Sequence, residues 1–169
     1  MDAGIEIRLL AESDSLTELT ELLHRAYAPL AAQGLRYLAT HQDAETTKRR
    51  VTKGECYLAF LDARLAGTIL VIAPGAMRHG AYYARPGVAG LSQFGVEPEL
   101  QRRGIGARLM DLGERRAREL GASEVAVDTA EPARHLIELY ERRGYRKVGT
   151  EQWQHTNFRS VILSKLLGS

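Results

Sequence analysis

The sequence predicts a mixed α/β fold, one sheet with helices packed on its faces. Strand-like and helix-like segments alternate along the chain instead of gathering in separate halves, as layered α/β architectures require. The helix-like segments carry apolar stripes that need a sheet to cover them. At 169 residues, with no repeat, low-complexity stretch or linker, residues 1–169 are organised as a single domain long enough for a real core.

The elements follow in order. Ile5-Glu6-Ile7-Arg8-Leu9 alternates with the period of a half-buried strand. Ser13-Asp14-Ser15 offers N-cap oxygens to a helix striped by Leu16, Leu19, Leu22, Leu23, Ala26 and Tyr27, with Pro29 and Gly34 around its end. A polar helix is expected from Asp43 to about Val51, stopped by Gly54. Cys56–Leu61 and Leu65–Ile72 read as a hairpin about Asp62-Ala63-Arg64. Pro74 to Gly87 is a long loop for a small domain, and such loops are usually functional or mobile. Val88–Val96 is the next strand. A helix then starts at or just before Gly104 and closes at Gly121, with Ile105, Leu109, Leu112, Ala117 and Leu120 as its buried stripe. Glu124–Asp128 is a short strand, Pro132 opens a helix reaching Arg143, and Tyr145–Thr150 and Phe158–Leu163 are the last two strands.

Composition excludes several functions. Lysine and arginine number 23 against 21 acidic residues, a net charge of +2, too balanced to call for nucleic acid or a membrane surface. Arg102, Arg103, Arg115, Arg116 and Arg118 could suggest a nucleic-acid face, but Glu114 and Glu119 break it up as on a solvated helix. Cys56 stands alone, so neither an intrachain disulfide nor a thiolate metal cluster is expected, and it reads as a packing residue. Met1–Arg8 has no signal-peptide pattern and no apolar run nears the ~18 residues of a membrane span, so a cytoplasmic location is expected. Monomer and homodimer are both compatible with the sequence.

The chemistry concentrates in Gln93–Gly106. A strand ends near Val96, the chain turns, and a helix begins at Gly104. The first turn of a helix has unpaired N–H groups and a partial positive charge, which suit a phosphate oxygen. Gly104 and Gly106 clear side chains from that approach, and Arg102 and Arg103 add charge. Read this way the segment is a diphosphate cradle, although a Gly-x-Gly at such a turn is often only a turn. It is not a P-loop, because no Gly-Lys-Ser/Thr is present. The dinucleotide fingerprint wants a small residue where Leu109 stands; Asp128, at a later strand end, keeps a nucleotide-binding oxidoreductase as a weaker reading.

The Gln101-x-x-Gly104-x-Gly106 run after Val96-Glu97-Pro98 resembles the acyl-CoA signature of the GNAT superfamily of N-acetyltransferases, Gln/Arg-x-x-Gly-x-Gly/Ala. Glu131-Pro132-Ala133, followed by Leu136-Ile137-Glu138-Leu139-Tyr140-Glu141-Arg142-Arg143-Gly144-Tyr145, is similar to that family's later helix-to-strand element. The likeness is closest across Val88–Arg146 and only architectural before Phe60. It implies a twisted, mostly antiparallel sheet flanked by helices and splayed at its central strands. The activity implied is transfer of the acetyl group of acetyl-CoA, without a metal, to a primary amine of a small-molecule or peptide acceptor, by direct attack in a ternary complex.

The resemblance also implies site residues. Gln101, Arg102, Arg103, Gly104, Ile105, Gly106 and Ala107 would hold the pyrophosphate, mainly through backbone N–H groups. Pantetheine would run along Phe94, Gly95 and Val96, walled on its other side by Thr129, Ala133, Leu136 and Tyr140. The Val96 amide would polarise the thioester carbonyl, a contribution of about 2–4 kcal/mol. Tyr140 would protonate or hold the leaving thiolate, a phenol of pKa about 10 facing a thiol of about 8.5; without the resemblance it reads as a core aromatic. No Glu stands on Val88–Phe94, where many relatives carry a base, and Glu97 and Glu99 are expected to be exposed. A water held by Ser92 or a group from loop 74–87 could serve instead. Ala133 replaces an Asn that relatives often have. Tyr27, Tyr37, Tyr82 and Ser92 are the candidate acceptor residues, with Tyr83 and His79 as further wall candidates. Without a clear base, a non-catalytic acyl-CoA sensor is the alternative function.

Overall fold

The computed structural model describes residues 4–77 and 79–168. In chain order the elements are β1 (Ile5–Leu9), α1 (Leu16–Ala32), α2 (Ala44–Val51), β2 (Glu55–Leu61), β3 (Arg64–Ile72), β4 (Val88–Val96), α3 (Ile105–Glu119), β5 (Glu124–Ala130), α4 (Arg134–Arg142), β6 (Arg146–Glu151) and β7 (Ser160–Leu166). The strands form one sheet in the order β1-β2-β3-β4-β5-β7-β6, with β4–β5 its parallel pair and every other pair antiparallel.

Local chemistry accounts for the boundaries. Ser15 caps α1 by accepting from Glu18 N, and Asp43 caps α2 by accepting from Thr46 N. Pro29 lies inside α1 without ending it: it stands in the last turn on an exposed face, where the one helical bond it forgoes is cheap. The β2–β3 hairpin turns at Asp62 and Ala63, both left-handed (φ 49° and 67°), the conformation a tight hairpin demands. β7 starts at Ser160 and not at Phe158. The side chains of Gln152 and Thr156 bond the Phe158 carbonyl, and its ring packs on Tyr37 at 4.7 Å.

The helices cover both faces. α1 lays Leu19, Leu22 and Leu23 on Cys56, Leu58, Leu70 and Ile72. α3 lays Ile105, Leu109, Met110 and Ala117 on Ala59, Ile69, Val71, Leu91, Val125 and Val127, joined by Ile137 and Tyr140 of α4. Neighbouring strand residues thus feed opposite layers, which is the period of two seen in the sequence. Each fully buried Leu contributes about 1.5–3 kcal/mol. Cys56 is one of these packing residues. No described helix is long and apolar enough to cross a membrane.

Candidate active site

β4 and β5 pair only at Val88–Glu124, Ala89–Val125 and Gly90–Ala126, and then part. β5 stays bonded to β7 as far as Ala130, and β4 to β3 as far as Val96, so a cleft opens inside the sheet. A bulge bends β4 where the strands separate. Between the pairs Leu70–Ser92 and Thr68–Gly95, β3 supplies Ile69 alone while β4 supplies Gln93 and Phe94, with Gln93 at φ 46°. Past the bulge the Glu97 N–H donates to Ala66 O on β3 at 2.7 Å. Strand alternation therefore turns the N–H of Val96 to the other side, into the cleft.

α3 begins at the mouth of this cleft. Arg102 and Gly104 are left-handed (φ 65° and 83°), a turn geometry that gathers backbone N–H groups on one side. Gly104 is the N-cap and no side chain caps the helix. The first helical bond runs from Arg108 N to Gly104 O at 3.1 Å, so the N–H groups of Gly104, Ile105, Gly106 and Ala107 have no protein partner among the described residues. Four free donors at the positive end of a 15-residue helix make an anion site. A Cβ at Gly104 would meet nothing within 4 Å, leaving open space for a ligand, but the φ there favours glycine. A Cβ at Gly106 would lie 3.4 Å from Phe94 Cζ and 3.5 Å from Val96 Cγ2, a contact that Ala can make. Arg102 and Arg103 are exposed beside the turn, and Gln101 reaches back to Val96 O at 3.5 Å.

Aromatic residues line the cleft. The Tyr27 hydroxyl donates to Phe94 O at 2.9 Å. The Tyr37 hydroxyl bonds Thr129 Oγ1 at 2.8 Å and accepts from Ala130 N at 3.0 Å, holding the free edge of β5. Tyr140 of α4 is buried with its ring edge-on to Tyr145 at 5.7 Å. Its hydroxyl makes no hydrogen bond among the described residues, yet it lies within electrostatic reach of Tyr27, Asp128 and Tyr37. Burial pushes the phenols of Tyr27, Tyr37 and Tyr140 up, so all three stay protonated at neutral pH.

Charged groups complete the cleft. Asp128 of β5 accepts from the Tyr83 hydroxyl at 2.6 Å through Oδ1 and from Trp153 Nε1 at 2.9 Å through Oδ2. Burial raises the pKa of its carboxyl against the pull of these donors and of Arg50 and His155. Arg50, in the last turn of α2, donates to Gln42 Oε1 at 2.7 Å and to Ser92 Oγ at 3.2 Å. His155, on the segment that carries Trp153, is pulled down by burial and then by the Arg50 charge.

The sequence profile of the acetyltransferase (GNAT) family matches residues 16–145. The chain belongs to the GNAT acetyltransferase family. It is 34% identical over 146 residues to the S-(2-succino)cysteine N-acetyltransferase of Bacillus subtilis strain 168, a match covering 85% of this chain and 86% of that one. Its fold is similar to the crystal structure of PH1933 from Pyrococcus horikoshii OT3, at a TM-score of 0.75 and 21% identity over 98% of this chain and 99% of that one. A GNAT family acetyltransferase from Elizabethkingia anophelis, solved with acetyl-CoA bound, superposes with a TM-score of 0.68 at 15% identity, over 97% and 99% of the two chains. As a GNAT acetyltransferase the chain is an acyltransferase, and acetyl-CoA is its acetyl donor. The oxidoreductase and sensor readings are not favoured.

Within this GNAT frame the structure brings together Phe94, Gly95, Val96, Tyr27, Tyr37, Thr129, Tyr140 and Ser92 around the cleft, with Gln101–Ala107 at its mouth. Ala133 is fully buried, packed with Leu30, Leu35 and Phe158, while Leu136 is half-buried beside it. Tyr82 lies elsewhere: its hydroxyl bonds Glu124 and Ser164, at the end where β4 and β5 are still paired. Its neighbour Tyr83 is the one that reaches the cleft, through its bond to Asp128. His79 is exposed. Glu97 corrects the expectation of exposure: it is 3% exposed, and Arg25 of α1 grips it through Nε at 3.0 Å and Nη2 at 2.8 Å. Sequence reasoning missed Arg50, Gln42 and Trp153. Arg50 reads in the sequence like Lys48 and Arg49 beside it, because the groups it bonds, Gln42 and Ser92, lie outside its helix.

Proposed function

We propose that this GNAT enzyme acetylates the primary amine of a small amino-acid-type acceptor by direct attack on bound acetyl-CoA. The observation that carries the reading is the cleft between β4 and β5, which aligns four free helix N–H groups at its mouth with the Val96 N–H inside. The residues present fit the donor: Gly104–Ala107 suit its pyrophosphate, and the free edges of β4 and β5 suit its extended amide arm. Acetyl-CoA supplies an acetyl group activated as a thioester, whose carbonyl oxygen gains charge under attack and whose sulfur must leave.

The Val96 N–H donates to that oxygen. Asp128 takes the proton the acceptor ammonium must lose, and its burial-raised pKa supports this role as base. The freed lone pair forms the C–N bond. As the C–S bond breaks, the Tyr140 phenol donates its proton to the sulfur and regains one from the new amide nitrogen. The same loss of water that raises the phenol also disfavours a bare thiolate, so burial does not oppose the transfer. The relative named above acts on S-(2-succino)cysteine, an amine of this size and kind.

The test is thiol release from acetyl-CoA across a panel of amino acids, amino-acid thioethers, polyamines and N-terminal peptides. Turnover confined to small amino-acid-type amines is expected. Turnover of peptides or polyamines alone would replace the acceptor reading, and no turnover of any amine would remove it.

A further inference from the structure

Arg50 is a cation with no carboxylate in direct contact among the described residues. It makes no salt bridge among the described residues, and both of its protein acceptors, Gln42 Oε1 and Ser92 Oγ, are neutral. The first of these acceptors is itself locked. Gln42 is 2% exposed and donates through Nε2 to Thr47 Oγ1 at 2.8 Å and to Gln93 Oε1 at 3.0 Å, while Thr47 bonds Thr20 at 2.6 Å. A buried chain of hydrogen bonds from α1 through α2 to the β4 bulge therefore aims one amide oxygen at this guanidinium. Of five N–H donors, Arg50 spends two on the described residues. Its bond to Ser92, the residue before the β4 bulge, sets the group beside the cleft, where it lies within electrostatic reach of Tyr27 and Asp128 and His155 feels its charge. Lys48 and Arg49 beside it are exposed, as cations at a helix C-terminus normally are. Taking a guanidinium out of water without a directly paired counter-charge is costly, and a neutral donor would hold Gln42 and Ser92 as well.

We infer that Arg50 is the carboxylate-binding residue of the acceptor pocket, so that the acceptor carries a carboxylate in addition to its amine. The inference rests on the acetyl-transfer reading above and deepens it. A guanidinium forks onto a carboxylate through two parallel N–H bonds, and Arg50 keeps donors for that geometry. The charges of Arg50 and Asp128 give the pocket a polarity: the ammonium goes to β5, beside the reacting carbonyl, and the carboxylate goes to α2. Polyamines meet a like charge at Arg50 and are rejected by it.

The experiment compares S-carboxymethylcysteine, S-methylcysteine and S-methylcysteamine, which share an amine and carry two, one and no carboxylates. O-phosphoethanolamine serves as an anionic amine without a carboxylate. In the native protein kcat/KM should favour the carboxylated probes over S-methylcysteamine by about 10–100-fold, the range expected for hydrogen bonds to a charged partner. Arg50→Gln should collapse that ratio through KM, and Arg50→Lys should restore part of it, since a single ammonium keeps the charge but not the fork. Equal turnover of S-methylcysteamine, preference for O-phosphoethanolamine, or an unchanged ratio in Arg50→Gln overturns the inference. Stabilisation by acetyl-CoA is measured for each variant. If the native protein gains none, the acetyl-transfer reading fails as well. If Arg50→Gln alone loses it, Arg50 serves the donor and the inference falls by itself.

Discussion

Tyr140 joins a buried ring to a hydroxyl that no described protein group uses. Tyr140→Phe should therefore leave the melting temperature nearly unchanged, because it strands no buried partner. If the phenol serves the leaving sulfur, the single-turnover rate should drop on the order of 100-fold with acetyl-CoA affinity held, as for an interaction made mainly in the transition state. A native single-turnover rate would return Tyr140 to a packing role. At this scale the sequence reveals what motif spacing carries: Tyr140, Gly104 and Gly106 stand at fixed offsets within continuous elements. It does not reveal Glu97 or Arg50. The partner of Glu97 is 72 residues away in the chain, and Arg50 faces inward only because Gln42 and Ser92 arrive from other elements. Asp128 is visible as an acid at a strand end, but its donors Tyr83 and Trp153 come from two irregular segments that periodicity does not reach.

At the scale of elements, the α3 N-terminus and the end of β4 form one unit. Gly106 touches Phe94 and Val96, so a side chain there is judged by both the phosphate site and the strand. Gly106→Ala should keep the fold and most of the acetyl-CoA affinity, since its methyl makes contacts of 3.4 and 3.5 Å. Gly106→Asp should keep the fold and lose binding, because it sets a negative charge among donors meant for an anion. Isothermal titration with acetyl-CoA checks both. Normal binding by Gly106→Asp would place the pyrophosphate elsewhere. Helices and strands were legible to within a few residues because caps and apolar periods are local. The β4 bulge was not. Gln93 adopts a left-handed φ with a side chain that gives no sign of it, and the Gln42–Gln93 bond that holds it spans 51 residues.

At the scale of the molecule, the sheet consists of two blocks, β1-β2-β3-β4 and β5-β7-β6, joined along the strands by three residue pairs at Val88–Gly90. A donor lying in the cleft would touch both blocks, and so would act as a clamp as well as a substrate. Ligand that binds only the folded state stabilises by RT ln(1 + [L]/Kd), about 2.7 kcal/mol at 100 Kd. For a domain of this size that corresponds to a melting-temperature rise of about 5–10 °C. Hydrogen exchange should locate the gain. Within Leu91–Val96 and Val127–Ala130, the amides turned away from β3 and β7 toward the cleft, Val96 among them, should slow the most on adding acetyl-CoA, and the β2–β3 hairpin least. A rise in melting temperature with protection confined to the α3 N-terminus would mean that the pyrophosphate binds while the arm of the donor stays outside the cleft. In that case Val96 and Tyr140 would not face the thioester, and the chemistry assigned to them would have to move. Protection on both strands, lost together in Gly106→Asp, is the outcome that the shared cleft requires.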